Sequence, residues 1–314
     1  MIEHPDADAL LAGPLGQWLA EQSSLRTATR DRSHRRFMIG LAGAVLASFV
    51  TIVAGGKIMT AALAGAGLGA LGFGWSQWTE QPVVTRLKAA INTAIAEALG
   101  LEFSTVVSDP EPFRRACRFE LLPAHDDARL EDQWSGELAG QRFCLHEARL
   151  TEERGSGKQR RTVTVFAGVV MAVSFARPFS GITVVRRKAA ALGLVRALFG
   201  IDTTTVAGQS LQRITMVDPR FEDSFEAWTS DPVDGHYLLN PAYVERLIGI
   251  ERAFAGDRVR AVFAGGELLV ALESEDLFES GGLEASDDRA RLEHTIAQFG
   301  ALADLAVQLN ERPR

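Results

Sequence analysis

Apolar residues run through this chain with three different rhythms, and each rhythm predicts a different element. Between Phe37 and Trp75 there is almost no alternation: 39 residues carry one charge, Lys57. A bilayer core of about 30 Å takes about 20 helical residues. Phe37–Ala54 and Ile58–Trp75 supply 18 each. Gly55-Gly56-Lys57 between them suits a tight reversal, and Trp75 and Trp78 stand where interfacial aromatics are expected. The pattern predicts a transmembrane helical hairpin, 37–54 and 58–75. A secretory signal, a buried hairpin of a soluble protein and one long kinked helix are the competing readings. A secretory signal fits less well because 36 residues precede the first apolar segment and a second one follows it. A single helix of about 58 Å would far exceed the bilayer, and a buried hairpin stays open because Ala and Gly dominate.

The next rhythm is helical. Over Pro82–Leu99, Val83, Val84, Leu87, Ile91, Ala94, Ile95 and Ala98 recur at helical spacing, which predicts a juxtamembrane helix. After Gly100 the period shortens toward two. Strands are expected at Arg118–Leu122, Gly136–Ala139, Arg142–Leu150, Thr162–Phe175, Ile182–Arg186, Leu211–Val217 and Phe225–Thr229. Arg258–Phe263 and Glu267–Leu272, joined through Gly265-Gly266, read as a hairpin. Ala189–Phe199 reads as a short apolar helix or loop. Asn240-Pro241 opens a helix that ends at Gly256, and Ala290–Leu309 is a last amphipathic helix. Strands outnumber crossover helices, so the sheet should be mostly antiparallel and the fold class α+β. The expected organisation is an N-terminal segment 1–36, the hairpin 37–75, a juxtamembrane helix 76–100 and an α+β domain 101–314.

Charge orients the hairpin. Residues 26–36 hold Arg26, Arg30, Arg32, Arg35 and Arg36 against Asp31 alone, and Arg86 and Lys88 follow the second segment. The positive-inside rule then places both termini in the cytoplasm, at the inner membrane if the cell is bacterial. The net charge of −7 argues against nucleic acid as a partner. An acidic run, Glu273, Glu275, Asp276, Glu279, Glu284, Asp287 and Asp288, contains no base and reads as a solvated face. Basic clusters at Arg154–Arg161 and Arg186-Arg187-Lys188 also read as solvated. Their alternative is anionic lipid, which Arg160, Arg161, Arg186 and Arg187 would touch.

Small residues on the second apolar segment, Ala62, Ala66, Ala70 and Gly74 with Gly65 and Gly69 beside them, allow close helix approach. They serve packing against the first segment or self-association of the chain. Gly67-x-Gly69-x-x-Gly72 matches a dinucleotide fingerprint, but it lies inside an apolar helix rather than between a strand and a helix, so it is no cofactor site. Cys117 and Cys144 lack zinc spacing and read as reduced, buried thiols.

Little else carries chemistry. His125-Asp126-Asp127 sits in a loop with no second ligand cluster. His146 and Glu147 point to opposite faces of a strand. His236, between Asp234 and Tyr237, is the best titratable candidate. Phe221, Phe225 and Trp228, among acids, serve either as core packing or as a partner-binding surface. No nucleophile elbow, phosphate loop or metal-binding helix is present, and neither a cofactor nor a metal is implied.

The stretches Thr162–Gly168 (TVTVFAG), Phe175–Gly181 (FARPFSG), Val217–Phe225 (VDPRFEDSF), Ser230–Pro241 (SDPVDGHYLLNP) and Asp276–Glu279 (DLFE) follow one another in order. The ordered set resembles the bacterial domain of unknown function 3137, over Trp134 to Glu279. One departure is His236, where the family more often has Arg. The resemblance implies a bacterial membrane protein with a cytosolic domain and no established reaction. It brings no catalytic residues with it. The resulting expectation is a membrane protein that leans away from catalysis, an interaction or scaffold protein whose cytosolic domain binds a protein. Its alternatives are a sensor of membrane state that binds anionic lipid, and a membrane-tethered enzyme.

Overall fold

The computed structural model describes residues 4–55, 57–175, 179–188, 202–216, 219–239, 258–274 and 280–308, with residues 243, 245, 247, 249 and 278. The chain divides into two compact units. One comprises Asp6–Ala94 with Glu279–His294, the other Met1–Pro5, Ile95–Phe278 and Thr295–Arg314.

The first unit is helical. Two short helices, α1 (Ala7–Ala12) and α2 (Pro14–Glu21), lead into α3 (Ser23–Val53), and α4 (Ile58–Ala98) returns. Asp6 caps α1 by accepting from the Asp8 N–H at 3.1 Å, and Pro14 suits the first turn of α2. The helix expected to begin at Pro82 is instead the continuation of the second apolar segment, with Pro82 inside α4. A proline there gives up one helical hydrogen bond.

α3 and α4 pack through small residues. A Cβ on Gly40 would lie 2.4 Å from Gly72 Cα, and one on Gly65 would meet Ser48 Oγ at 2.3 Å. Ser48 Oγ donates to Ala61 O at 3.1 Å, and Ser33 and Ser76 hydroxyls pair at 2.6 Å. The packing row is therefore Ala61, Gly65, Gly72 and Ser76. The neighbouring row, Ala62, Ala66, Ala70 and Gly74, is exposed. The glycines of the apparent dinucleotide fingerprint lie in mid-helix, and Gly72 is taken up by Gly40.

The second unit is built on one ten-stranded sheet. Its strands are β1 (Leu101–Ser104), β2 (Asp127–Leu138), β3 (Gln141–Arg154), β4 (Arg161–Ser174), β5 (Thr183–Arg187), β6 (Thr203–Val206), β7 (Gln209–Ile214), β8 (Phe225–Thr229), β9 (Arg260–Ala264) and β10 (Glu267–Glu273). The order is β1-β2-β3-β4-β10-β9-β5-β8-β7-β6, and neighbouring strands run antiparallel. The fold class is α+β, as the rhythm predicts. The β9–β10 hairpin turns at Gly265-Gly266, both at positive φ. It wedges between β4 and β5, so Leu268 to Leu272 are fully buried on both faces.

Four further helices among the described residues are α5 (Glu111–Arg118), α6 (Pro219–Ser224), α7 (Pro232–Leu238) and α8 (Asp288–Gln308). One face of the sheet carries Ala148, Phe166, Val170, Val262, Leu269 and Ala271, packed with Phe119, Leu121 and Leu122. On the other, Trp134 stacks on Phe299 at 4.7 Å, with Phe143 and Phe278 against the same ring.

Arg118–Leu122 is not a strand: α5 ends at Arg118, and Glu120 takes a positive φ. The alternating burial there comes from a helix end and turn, which period alone does not separate from a strand. Ala189–Phe199 lies outside the described residues. Of the helix expected from Asn240, the described Tyr243, Glu245, Leu247 and Gly249 are helical.

Candidate functional site

At the end of β2, β3, β4 and β10, under the start of α5, lies a polar cleft of about 340 Å³. Strand register builds its floor. Phe143, next to Arg142, faces Val173 across β3 and β4, Ser174 faces Glu267 across β4 and β10, and Ser135 faces Cys144. A β-bulge at Asp132–Gln133 turns Gln133 into the same cleft. There Gln133 Oε1 accepts from the Ser108 and Asp109 N–H groups at 2.8 and 3.3 Å. This bonding pins the loop that starts α5.

Charge in the cleft is largely self-paired. Arg115, from α5, holds the Glu267 carboxylate and donates to Ala264 O at 3.0 Å. Arg142 reaches Glu267 Oε1 at 3.4 Å, and its backbone N–H donates to Ser174 Oγ at 2.8 Å. Burial, then the Asp109 and Glu267 carboxylates, push the Cys144 thiol up to about 11. It stays protonated at neutral pH and is a poor nucleophile.

Two residues along β3 on the same face, His146 is fully buried. Burial lowers its pKa to about 4, against a smaller opposing pull from Asp109. Neither ring nitrogen has a hydrogen-bond partner among the described residues. Phe113 of α5 meets its ring edge-on at 6.5 Å. The cleft thiol and the buried imidazole two residues along β3 are therefore not poised for nucleophilic or acid–base work. Among the described residues no cluster of His, Cys, Asp and Glu is placed to hold a metal ion.

The residues singled out in the sequence do not gather at this cleft. Arg160 and Arg161 stand exposed at the β3–β4 hairpin, where Arg160 pairs with Glu153. Arg186 and Arg187 end β5. Arg186 donates to Glu120 O at 3.3 Å, and Arg187 lies over the Phe225 ring at 5.8 Å. Phe221, Phe225 and Trp228 are buried, so these aromatics pack the core and present no contact surface. Glu222 near them accepts the Met216 N–H at 2.8 Å and lies 3.6 Å from Arg213. His236 and Tyr237 are exposed on α7, a helix capped by Asp231.

His125 folds back onto Pro123 O at 3.0 Å. The run of acids is also more than a solvated face: Asp288 and Glu284 pair with Arg26 and Arg30 at 2.7 and 3.0 Å. Sequence reasoning placed Cys144 and His146 on a strand but missed the cleft. The available signal was their i, i+2 spacing on the core-facing side of β3. Arg115, Gln133 and Glu267 come from other elements and left no local signal.

A hairpin apolar enough to cross a bilayer, joined to an antiparallel sheet with a polar cleft, defines the general class of this protein. Residues 164–311 match the family model of DUF3137, a protein family of unknown function, so the resemblance carried by the ordered motifs is shown over that stretch. Among curated proteins none matches the chain. The crystal structure of the mycobacterial trehalose monomycolate transport factor A, TtfA, aligns at a TM-score of 0.35 and 10% identity, covering 74% of this chain and 98% of that one.

Proposed function

We propose that this chain is a two-span protein of a bacterial inner membrane, with both termini in the cytoplasm, and that its sheet unit binds a protein partner. The carrying observation is where large apolar side chains are exposed. Among the described residues all but Val106, Val233 and Tyr237 lie between Phe37 and Trp78. They face outward because the interior of the hairpin is filled by Gly40, Ala44, Ala61, Gly65 and Gly72. In water such a surface is far larger than soluble proteins tolerate, and in lipid it is at equilibrium.

Binding is supported by Val233 and Tyr237, i and i+4 on α7, exposed beside His236. Alkaline carbonate washing of membranes tests the first half, since a chain released into the supernatant does not span. Cysteine substituted for Lys57 should be labelled only from outside the cell; labelling from the cytoplasm would refute the orientation. Co-purification from native membranes tests the second half. A partner should be retained by the wild-type chain and lost with V233S/Y237A. Retention by that variant would remove α7 as the contact. The exposed row Ala62, Ala66, Ala70 and Gly74 favours a second reading, self-association through a small-residue helix face.

A further inference from the structure

The arginine cluster before the first apolar segment and the acidic run near the C-terminus are parts of one device. The segment from Ser280 to Asp288 crosses the base of both hairpin helices. On α4, Ser280 Oγ donates to Asn92 Oδ1 at 2.8 Å, and a Cβ on Gly281 would lie 2.3 Å from Val84 O. No side chain fits at Gly281 without a shift, so the segment lies directly on the helix backbone. On α3, Asp288 receives two bonds from Arg26 Nη1, at 2.9 and 2.7 Å, with Arg26 only 1% exposed. Nε and Nη2 of Arg26 have no acceptor among the described residues, so Asp288 is the anion on which this buried guanidinium depends. One turn further on, Arg30 pairs with Glu284 at 3.0 Å, both partly exposed. Arg291 closes the turn by donating to Glu284 O at 3.2 Å.

We propose that Ser280–Asp288 is an electrostatic strap, and that anionic lipid headgroups compete with Glu284 for Arg30. The inference rests on the bilayer reading above. Arg32 and Arg35, exposed on the same helix, mark the level at which a bilayer surface would meet α3. There a headgroup phosphate offers Arg30 a negative charge in place of the Glu284 carboxylate. An exposed ion pair is weak, comparable with the pull of an anionic surface on one basic residue, so the two partners are closely matched at Arg30. Arg26 is different: buried and doubly bonded, it keeps Asp288 and acts as the hinge of the strap. Anionic lipid therefore loosens Ser280–Glu284 while Asp288 holds.

The test is hydrogen exchange over residues 280–292 of the full chain. The protein would be reconstituted in phosphatidylcholine vesicles or in an equal mixture with phosphatidylglycerol. An alkaline wash beforehand establishes that it is embedded. Exchange should quicken in the anionic mixture. E284Q in phosphatidylcholine should reproduce that quickening, by up to about fivefold. R30Q should exchange quickly in both lipids, because the contested guanidinium is gone. Wild-type exchange that ignores phosphatidylglycerol, or an E284Q that behaves as wild type, overturns the strap. Release of the chain by the alkaline wash instead overturns the bilayer reading, and this proposal with it. Because that step precedes the exchange measurement, the two failures are told apart.

Discussion

Acid should destabilise the sheet unit through His146. The imidazole is fully buried between β3 and the Phe113 ring, and its pKa in the folded chain is about 4 against an ordinary 6.5. At pH 7 it is neutral in both states and contributes no pH dependence. As the pH falls below about 6.5, the unfolded chain takes up a proton that the folded chain refuses. Stability is then lost until about pH 4, where the folded form also accepts the proton. The shift corresponds to about 3 kcal/mol over that window, a large share of the 5–15 kcal/mol typical of a domain. Asp109 is the carboxylate that partly offsets this, and its opposing effect is already contained in the shift.

The perturbation is His146→Leu, which keeps an apolar filling of similar size and removes two unpartnered ring nitrogens. Relief of a buried unsatisfied polar group should raise stability at pH 7 by about 1 kcal/mol. Denaturant titrations of the full chain in mild detergent, at pH 7 and at steps down to pH 4, would measure both effects, with tryptophan fluorescence, to which the buried Trp134 and Trp228 contribute, as the probe. Other carboxylates titrate in the same range, so the decisive quantity is the difference between variant and wild type. It should widen from about 1 kcal/mol at pH 7 to about 4 kcal/mol at pH 4. A difference that stays constant with pH would refute the burial argument.

Three further outcomes are expected. Cysteines at Ser33 and Ser76, whose hydroxyls lie 2.6 Å apart, should form a disulfide in oxidised membranes. Adding Gly40→Val should abolish it by forcing α3 from Gly72, and cross-linking that survives would disprove the close approach. Glu267→Gln should cost about 1–3 kcal/mol by stranding the largely buried Arg115, the exposed Arg142 adding little; it should also lower the Cys144 pKa and speed its alkylation in a Cys117→Ala background, and an unchanged alkylation rate would deny Glu267 that influence. Ala66→Ile, on the exposed small-residue row, should weaken cross-linked dimers without changing the Ser33–Ser76 disulfide; undiminished dimers would remove that row as a contact.

How legible the protein was depends on how local each signal is. The paired apolar segments and the flanking arginines could be read within their own windows, because length, apolar composition and charge are properties of each stretch alone. β4, β8 and β10 were placed to within a residue at most ends, since a run of β-branched and aromatic residues already predicts a strand. The cleft was not legible: Arg115, Arg142 and Glu267 lie on three different elements, and only pairing brings them together. The roles of Phe221, Phe225 and Trp228 were open in the sequence, since an aromatic beside acids serves a core or a surface equally well. Burial decides for the core.

The sequence alone therefore determined the hairpin, most strands and the antiparallel α+β class, all set by residue period and composition within short windows. Tertiary structure decided which strands are neighbours. It set β9–β10 between β4 and β5, pairing Glu267 with Ser174 and Thr183 with Phe263. It also joined Arg26 to Asp288 across most of the chain, turning an acidic run into a strap. The physical reason is that a strand's period fixes which side chains share a face but not which strand lies beside it. That choice is settled by the burial of both faces at once, a property no single segment carries.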